Sequence, residues 1–286
     1  DTIVHFTGLL QTPQTLKMLY ILTYADINAV NSKIYKSNTS SLLRELYNQC
    51  LPVFENQQLV QVSTRRFAKI STIQKSKQFL SLSRIMQKKV LSIQSNQLFL
   101  KYKASDIIDI AIDAQNIDTM SYKILNDDIL TISIIRAIPL NLGFLLGKLN
   151  FLDIKSTGIY KLYDDKKFFQ IQFSQNVDDS DIAYVKEIVE NSFDMLKTVK
   201  IKKPIIKENE ITIDCEHTDS VATLKVTTLD QKGLFSYIAY IFDKFNVEIH
   251  SAKIHSTKTK ANDLFLIEKD GNFCPCKDEI VKALIT

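Results

Sequence analysis

The sequence predicts an α+β fold: a helical amino-terminal segment followed by two small units that mix strands and helices. Three observations carry that prediction. From Val221 to Asp270 the residues read strand, tight glycine turn, helix, strand, strand. A degraded copy of the same pattern begins near Asp127. Ahead of both, residues 12–55 repeat apolar side chains at helical spacing. The implied order of each unit is βαββαβ, the ferredoxin-like arrangement.

The bulk composition narrows the class. A chain of 286 residues suggests about two domains, each with a modest core. Hydrophobic residues make up 45% and charged residues 24%, which are ordinary globular values. No apolar run approaches the roughly 18 residues of a membrane-spanning helix, so no membrane is expected. The start, DTIVHFTGLLQTPQ, has neither the basic flank and apolar core of a signal peptide nor an initiator Met. The expectation is a piece of a longer, cytoplasmic protein. Cys50, Cys215, Cys274 and Cys276 do not have zinc-site spacing, and four plain thiols are expected.

Net charge is +4, and its distribution says more than its size. From Asn56 to Ser105 there is no acidic residue, while Arg65, Arg66, Lys69, Lys75, Lys77, Arg84, Lys88, Lys89, Lys101 and Lys103 fall within it. Such a stretch suits an acidic surface or a polyanion, or is a solvated face balanced by acids elsewhere in the fold. Its aromatics, Phe67, Phe79, Phe99 and Tyr102, lack stacking-platform spacing, so no nucleic-acid partner is expected.

In chain order, Thr12-Pro13 reads as an N-cap and first helical residue. A second helix starts near Thr39 or Ser40 and ends at Pro52. Residues 56–104 read as a basic connector with one or two helices, Phe79, Leu82, Met86 and Val90 forming one stripe. Ser105-Asp106 caps a short helix through Ala114. Strands begin from Asp127, with Ile129–Ile135 the first. A short helix spans Leu142–Leu149, and strands follow at about Asp153–Leu162 and Phe168–Phe173. The turn between those strands, Asp164-Asp165-Lys166-Lys167, is a hairpin signal. A helix from Asp179 to Leu196 opens on acidic residues that suit the helix dipole. After the basic linker Lys200–Lys207, Glu210–Asp214 adds a strand and Val221 opens the second unit. Lys277–Leu284 forms the last helix. The domains are thus 1–55, 56–126, 127–200 and 201–286.

The residues with chemical promise cluster in the second unit's turn, Leu229-Asp230-Gln231-Lys232-Gly233-Leu234. Glycine lets the backbone pass close to a ligand or another chain. Free N–H groups at the following helix start can take a carboxylate. Asp230 can pair with an α-ammonium, and together these features would recognise a zwitterionic amino acid. The alternative is a bare strand-to-helix turn with Asp230 as helix cap. His250 and Ser251 alternate along the next strand. His5, His217, His250 and His255 show no spacing for a metal cluster or a Ser-His-Asp set.

The run from Leu229 to Asp270 resembles an ACT domain, a small βαββαβ module that binds amino acids. In particular, DQKGLFSYIAYIF and VEIHSAKIHSTKTKANDLFLIEKDG are similar to the last ACT repeat of the bifunctional PII uridylyltransferase/uridylyl-removing enzymes. That family's turn reads Asp-Arg-Pro-Gly-Leu. Asp230, Gly233 and Leu234 match it, and Gln231 and Lys232 depart from it. In the first unit Pro139, Leu140 and Asn141, followed by Leu142, take the turn's place without its Asp or Gly, a weaker candidate. The amino-terminal run Leu19-Tyr20-Ile21-Leu22-Thr23-Tyr24-Ala25-Asp26-Ile27 resembles the end of the family's HD hydrolase domain. Asp26 matches the last member of that domain's His…His-Asp…Asp metal set, whose other members are absent, or is an ordinary polar residue of a helix bundle.

The resemblance implies a C-terminal regulatory region with no catalytic residues of its own. In the whole enzyme a nucleotidyltransferase domain adds UMP to the nitrogen-signalling protein PII, and the HD domain removes it, with magnesium or manganese as the metal. Glutamine is the implied effector of the ACT pair, at Asp230, Gln231, Lys232, Gly233 and Leu234, and more weakly at Pro139, Leu140 and Asn141. Exposed sheet edges imply pairing within the chain or in a homo-oligomer. The alternative is an ACT-based assembly or PII-docking module that binds no amino acid.

Overall fold

A computed structural model of the chain describes all residues except 1, 11, 31–36, 56, 219, 255–259, 270 and 286. Asn56, His255 and Asp270, singled out in the sequence, therefore lie outside the described residues. The chain forms two compact units, Asp1–Leu82 with Asn96–Ile108, and Ser83–Ser95 with Asp109–Thr286.

The first unit is helical. It begins with α1 (Thr2–Leu10), α2 (Pro13–Val30), α3 (Ser37–Glu55), α4 (Gln57–Lys75) and α5 (Lys77–Leu80). Thr12 opens α2 as the sequence predicts, its Oγ1 accepting from Thr15 N at 3.1 Å. Pro52 does not end α3, which runs on to Glu55. A proline forfeits one backbone hydrogen bond, and the flanking turns persist. The basic stretch holds four helices rather than one or two, with α6 (Arg84–Leu91) in the second unit and α7 (Asn96–Lys101) in the first. The stripe from Phe79 to Val90 is broken because Ser76 Oγ caps α5 at Phe79 N and Ser83 Oγ caps α6 at Met86 N. Part of the basic stretch is used internally. Arg66 Nη1 donates to Asn96 Oδ1 at 2.6 Å, and its guanidinium lies 4.5 Å from the Phe99 ring centre. Burial pushes the Arg66 pKa down to about 10.

Helix α8 (Ala104–Gln115) begins in the first unit and ends in the second. There follow β1 (Met120–Asn126), β2 (Leu130–Arg136), α9 (Leu142–Lys148), β3 (Ile154–Lys161), β4 (Lys167–Phe173) and α10 (Asp179–Asn191). A matching half contains β5 (Ile211–Asp214), β6 (Val221–Leu229), α11 (Leu234–Lys244), β7 (Ile249–Ile254), β8 (Lys260–Glu268) and α12 (Lys277–Leu284). Each half reads ββαββα instead of the expected βαββαβ. The fourth strand is supplied before the strand–helix–strand–strand core and not after it. The sheet accordingly starts at Met120, ahead of Asp127. The alternately half-buried and exposed residues of β1 suit an edge strand. Helix α10 stops at Asn191, short of Leu196, because Ser192 Oγ turns back to Val189 O and the Ser192 carbonyl accepts from Asn141 N.

The eight strands of the described residues form one antiparallel sheet in the order β1-β2-β4-β3-β7-β8-β6-β5. The two halves meet at β3 and β7, where Thr157 pairs with Ile254 and Tyr160 with Ser251. An edge strand of each half is thereby covered within the chain. Asp164 and Asp165, at φ 51° and 55°, turn the β3–β4 hairpin as the sequence predicts. Helices α9, α10, α11 and α12 share one continuous apolar core with the sheet. Within it α9 packs on α11 so closely that a Cβ on Gly143 would lie 2.5 Å from Tyr240 Cα.

The expectation of four plain thiols fails. Cys215, just after β5, is bonded to Cys274, just before α12, although 59 residues separate them. The β6–β8 pairing returns the chain to the same end of the sheet, an event that local spacing cannot reveal. Among the described residues no helix is long and apolar enough to cross a membrane.

Candidate functional site

The equivalent starts of α9 and α11 are built differently. At α11, β6 delivers Leu229 and Asp230 to the surface, and Gly233 adopts φ +85° at the N-cap position. Only glycine holds that left-handed conformation without strain. Gly233 makes no side-chain cap. Its carbonyl accepts from Ser236 Oγ at 2.9 Å and Tyr237 N at 2.9 Å, and Leu234 N donates to Gln231 O at 3.0 Å. Gln231 is used within the chain. Its side chain accepts from Ile205 N and donates to Ile205 O, both at 2.8 Å, so it ties the linker to the turn. Asp230 and Lys232 are exposed. Asn150, just beyond α9, brings its carboxamide to the Gly233 turn, 3.5 Å from where a Cβ would stand.

At α9 the chain satisfies its own helix start. Asn141 Oδ1 accepts from Phe144 N at 3.0 Å, and Asn141 Nδ2 donates to Lys197 O at 2.9 Å. Asp243, near the end of α11, reaches across so that Gly143 N donates to its Oδ2 at 2.6 Å. Burial pushes the Asp243 pKa up to about 7, outweighing the amides of Gly143 and Leu142 that favour its carboxylate. The position that a ligand carboxylate would take at this turn is thus held by a carboxylate of the protein. Pro139 and Leu140 bring Asn141 to that closed turn.

Beside Asp243 lies an ionic network that spans the two halves. Lys167, nearly fully buried, contacts Glu248 Oε2 at 2.5 Å and Glu268 Oε1 at 3.0 Å, and donates to Ile249 O at 2.8 Å. Arg136 Nη2 reaches Glu248 at 2.9 Å, and Lys161 reaches Glu268 at 3.1 Å. Both glutamates are held below their ordinary range, as the lysines and Arg136 outweigh burial. His250, in the same region, is pushed down to about 4 by burial. It favours its neutral form and is placed as a packed residue.

Asp26 is exposed on α2. Among the described residues no group of three His, Cys, Asp or Glu side chains is placed to hold a metal ion, so Asp26 finds no co-ligands there. Asp243, Asn150 and the ionic network escape sequence reading. Each acts on a turn or strand far away in the chain, and a single acid such as Asp243 at a helix end looks like a solvated residue.

The fold and site define a tandem α+β module with one closed and one uncapped helix start. By sequence the chain is similar to curated bifunctional uridylyltransferase/uridylyl-removing enzymes. That of Psychrobacter arcticus is 22% identical over 317 residues, covering 95% of this chain and 34% of the relative. That of Acinetobacter baylyi is 24% identical over 323 residues, again 95% of this chain and 34% of the relative. A shorter segment is 43% identical to the Zymomonas mobilis enzyme over 49 residues, 17% of this chain and 5% of the relative. The chain spans about a third of the length of the first two relatives. No family model matches the chain. No solved structure matches it.

Proposed function

We propose that this chain is the C-terminal regulatory region of a PII uridylyltransferase/uridylyl-removing enzyme, and that it senses glutamine at the Asp230–Leu234 turn. The similarity to such enzymes along most of the chain supports the assignment. The observation that carries the sensing role is the inequality of the two helix starts. Asn141 and Asp243 satisfy α9 from within, whereas Gly233 leaves α11 without a side-chain cap. In this reading the amides of α11 take the effector's carboxylate, and Asp230 takes its α-ammonium. Gln231 holds the linker in place, and the carboxamide of Asn150 flanks the site. Residues 127–200, with β1 ahead of them, and residues 201–286 act as two ACT-type domains, and residues 1–55 as the end of an HD domain. Asp26 joins a magnesium or manganese site only when upstream residues supply the other ligands. The region works in the cytoplasm and does no chemistry itself. Glutamine acts by favouring one arrangement of the pair, which sets whether PII gains or loses UMP.

A second reading, an assembly or PII-docking module without an effector, draws on the use of Gln231 for the linker and of a sheet edge for pairing. Calorimetry on this chain separates the two. Saturable heat with millimolar glutamine is expected, weakened about tenfold by Asp230→Ala through loss of one charged contact. Absence of heat at 10 mM glutamine, about the weakest binding worth sensing, overturns the sensor reading. Salt-dependent binding of PII, indifferent to glutamine, then supports the docking module.

A further inference from the structure

The outer edge of the second half depends on a cysteine pair that neither the fold nor the proposed sensing role requires. Strand β5 has four residues and, among the described strands, pairs with β6 alone. So short an edge strand is weakly held by its ladder alone. Cys215 follows it directly and is joined to Cys274, their Cα atoms 6.1 Å apart, inside the 4.4–6.8 Å span that a disulfide needs. Fully buried Phe273 anchors the Cys274 end, and α12 is fixed by Ile280, Leu284 and the hydrogen bond from Tyr237 Oη to Ala283 O. The bond therefore fastens the least secured strand to a firmly packed element.

The pair is also within reach of solvent. Both cysteines are half-buried, and Cys215 lines a cleft of about 530 Å³ between β5 and α12. The cleft's walls include Ile211, Ile213, Val281 and Lys282, enough room for a small thiol reagent to approach. A second, half-buried thiol, Cys276, lies two residues beyond Cys274 and is free, whereas Cys50 is buried in the first unit.

We propose that Cys215 and Cys274 form a reversible thiol–disulfide switch that fastens β5 to α12, with a low-molecular-weight disulfide of the glutathione class as oxidant. One of the two thiolates attacks a sulfur of the oxidant and releases its first thiol. The other thiolate then attacks the mixed disulfide and displaces the second. Two protein thiols and one oxidant disulfide become one protein disulfide and two small thiols. Two electrons pass to the oxidant's sulfurs, and the two protons end on the released thiols. A disulfide that is made and broken in a reducing compartment is a sensing element, not a permanent staple. The switch rests on the proposed cytoplasmic setting but not on the effector reading, because its chemistry and its first readout involve no ligand.

The test equilibrates the chain in buffers of graded reduced-to-oxidised glutathione ratio. Remaining thiols are trapped with N-ethylmaleimide in denaturant, and the peptides are identified by mass. Cys215 and Cys274 are expected to become protected together, while Cys50 and Cys276 stay alkylatable. The melting temperature of the oxidised form is expected to rise by about 5 °C, the shift typical of a native cross-link in a domain of this size. Cys215→Ser and Cys274→Ser abolish both effects, and Cys276→Ser keeps them. The proposal is overturned if Cys215 and Cys274 remain alkylatable in excess oxidised glutathione, or if Cys276 replaces either of them in the bond. Thiol trapping on the unmutated chain decides the matter even where a variant fails to fold.

Discussion

Asp243 and Gly143 show how single residues set the character of the module. Gly143 has no Cβ, so α11 approaches within van der Waals reach of α9, and this brings Asp243 to the α9 amides. Desolvation raises its pKa from the ordinary 3.8 to about 7. Between those values the folded chain keeps a proton that the unfolded chain releases. Its contribution to stability is therefore full below pH ~4, falls as pH rises, and is lost above ~7. His250 works in the opposite sense. Its pKa falls from 6.5 to about 4, so stability rises with pH across that window. Glu248 and Glu268, both depressed and charged at neutral pH, lose their contribution as pH falls. Arg136, at the end of β2, and Glu248, just before β7, are the charged groups that act on Asp243. Asp243→Asn keeps a carbonyl acceptor for Gly143 N and removes only the first of these titrations. Urea denaturation at pH 5 and pH 8 is expected to show the variant gaining about 1–3 kcal/mol on the parent between the two. A difference that stays constant with pH would contradict this account.

Elements were legible where their signals are local. The cap at Thr12, the left-handed Asp164-Asp165 turn and the apolar face of α11 all act within a few residues of themselves, whereas the caps at Ser76 and Ser83 interrupt a stripe that reads as one helix. Boundaries failed where a distant partner decided them. Helix α10 ends at Asn191 because the Ser192 carbonyl is claimed by Asn141, an interaction across 51 residues of chain (192 − 141). Edge strand β1 falls in the stretch that reads as connector, although its alternation of half-buried Met120, Tyr122 and Ile124 with exposed residues is a local strand signal. The cap of α9 is an element-scale feature that can be weighed directly. Asn141 accepts from Phe144 N and donates to Lys197 O, so it fixes both the helix and the chain after α10. Asn141→Ala is expected to cost about 0.5–2 kcal/mol in chemical denaturation. Asn141→Asp, which keeps the acceptor, should recover much of that loss. Equal losses for both would place the stabilisation in the Lys197 contact instead.

At the scale of the second unit, the halves form one sheet because each lends its inner strand to the other, and the ionic network secures that join. Lys167 on β4 is paired with partly exposed Glu248, just before β7, and with largely buried Glu268, at the end of β8, so it links one half to the other, and the Glu268 pair is the one shielded from solvent. Lys167→Met keeps the bulk and leaves two carboxylates short of a partner. Losing one member of a buried pair costs about 3–5 kcal/mol, because the remaining charge is stranded. The expected outcome is a fall of that size in denaturant stability, read most clearly at neutral pH, where both glutamates are ionised. A loss below about 1 kcal/mol would mean that apolar packing alone holds the halves together.

Local signals in the amino-acid order specify the α+β class, the doubled strand–helix pattern, the helical amino-terminal segment and the position of the glycine turn at Gly233. These follow from periodicity, capping and backbone preference, which act over a turn or a strand. Tertiary structure alone decided which strand fills each half's fourth place, that β3 and β7 join the halves, that Cys215 meets Cys274, and that Asp243 fills one helix start. Each of those pairings joins residues far apart in the chain, and its energy comes from desolvation and geometry that exist only once the sheet has closed.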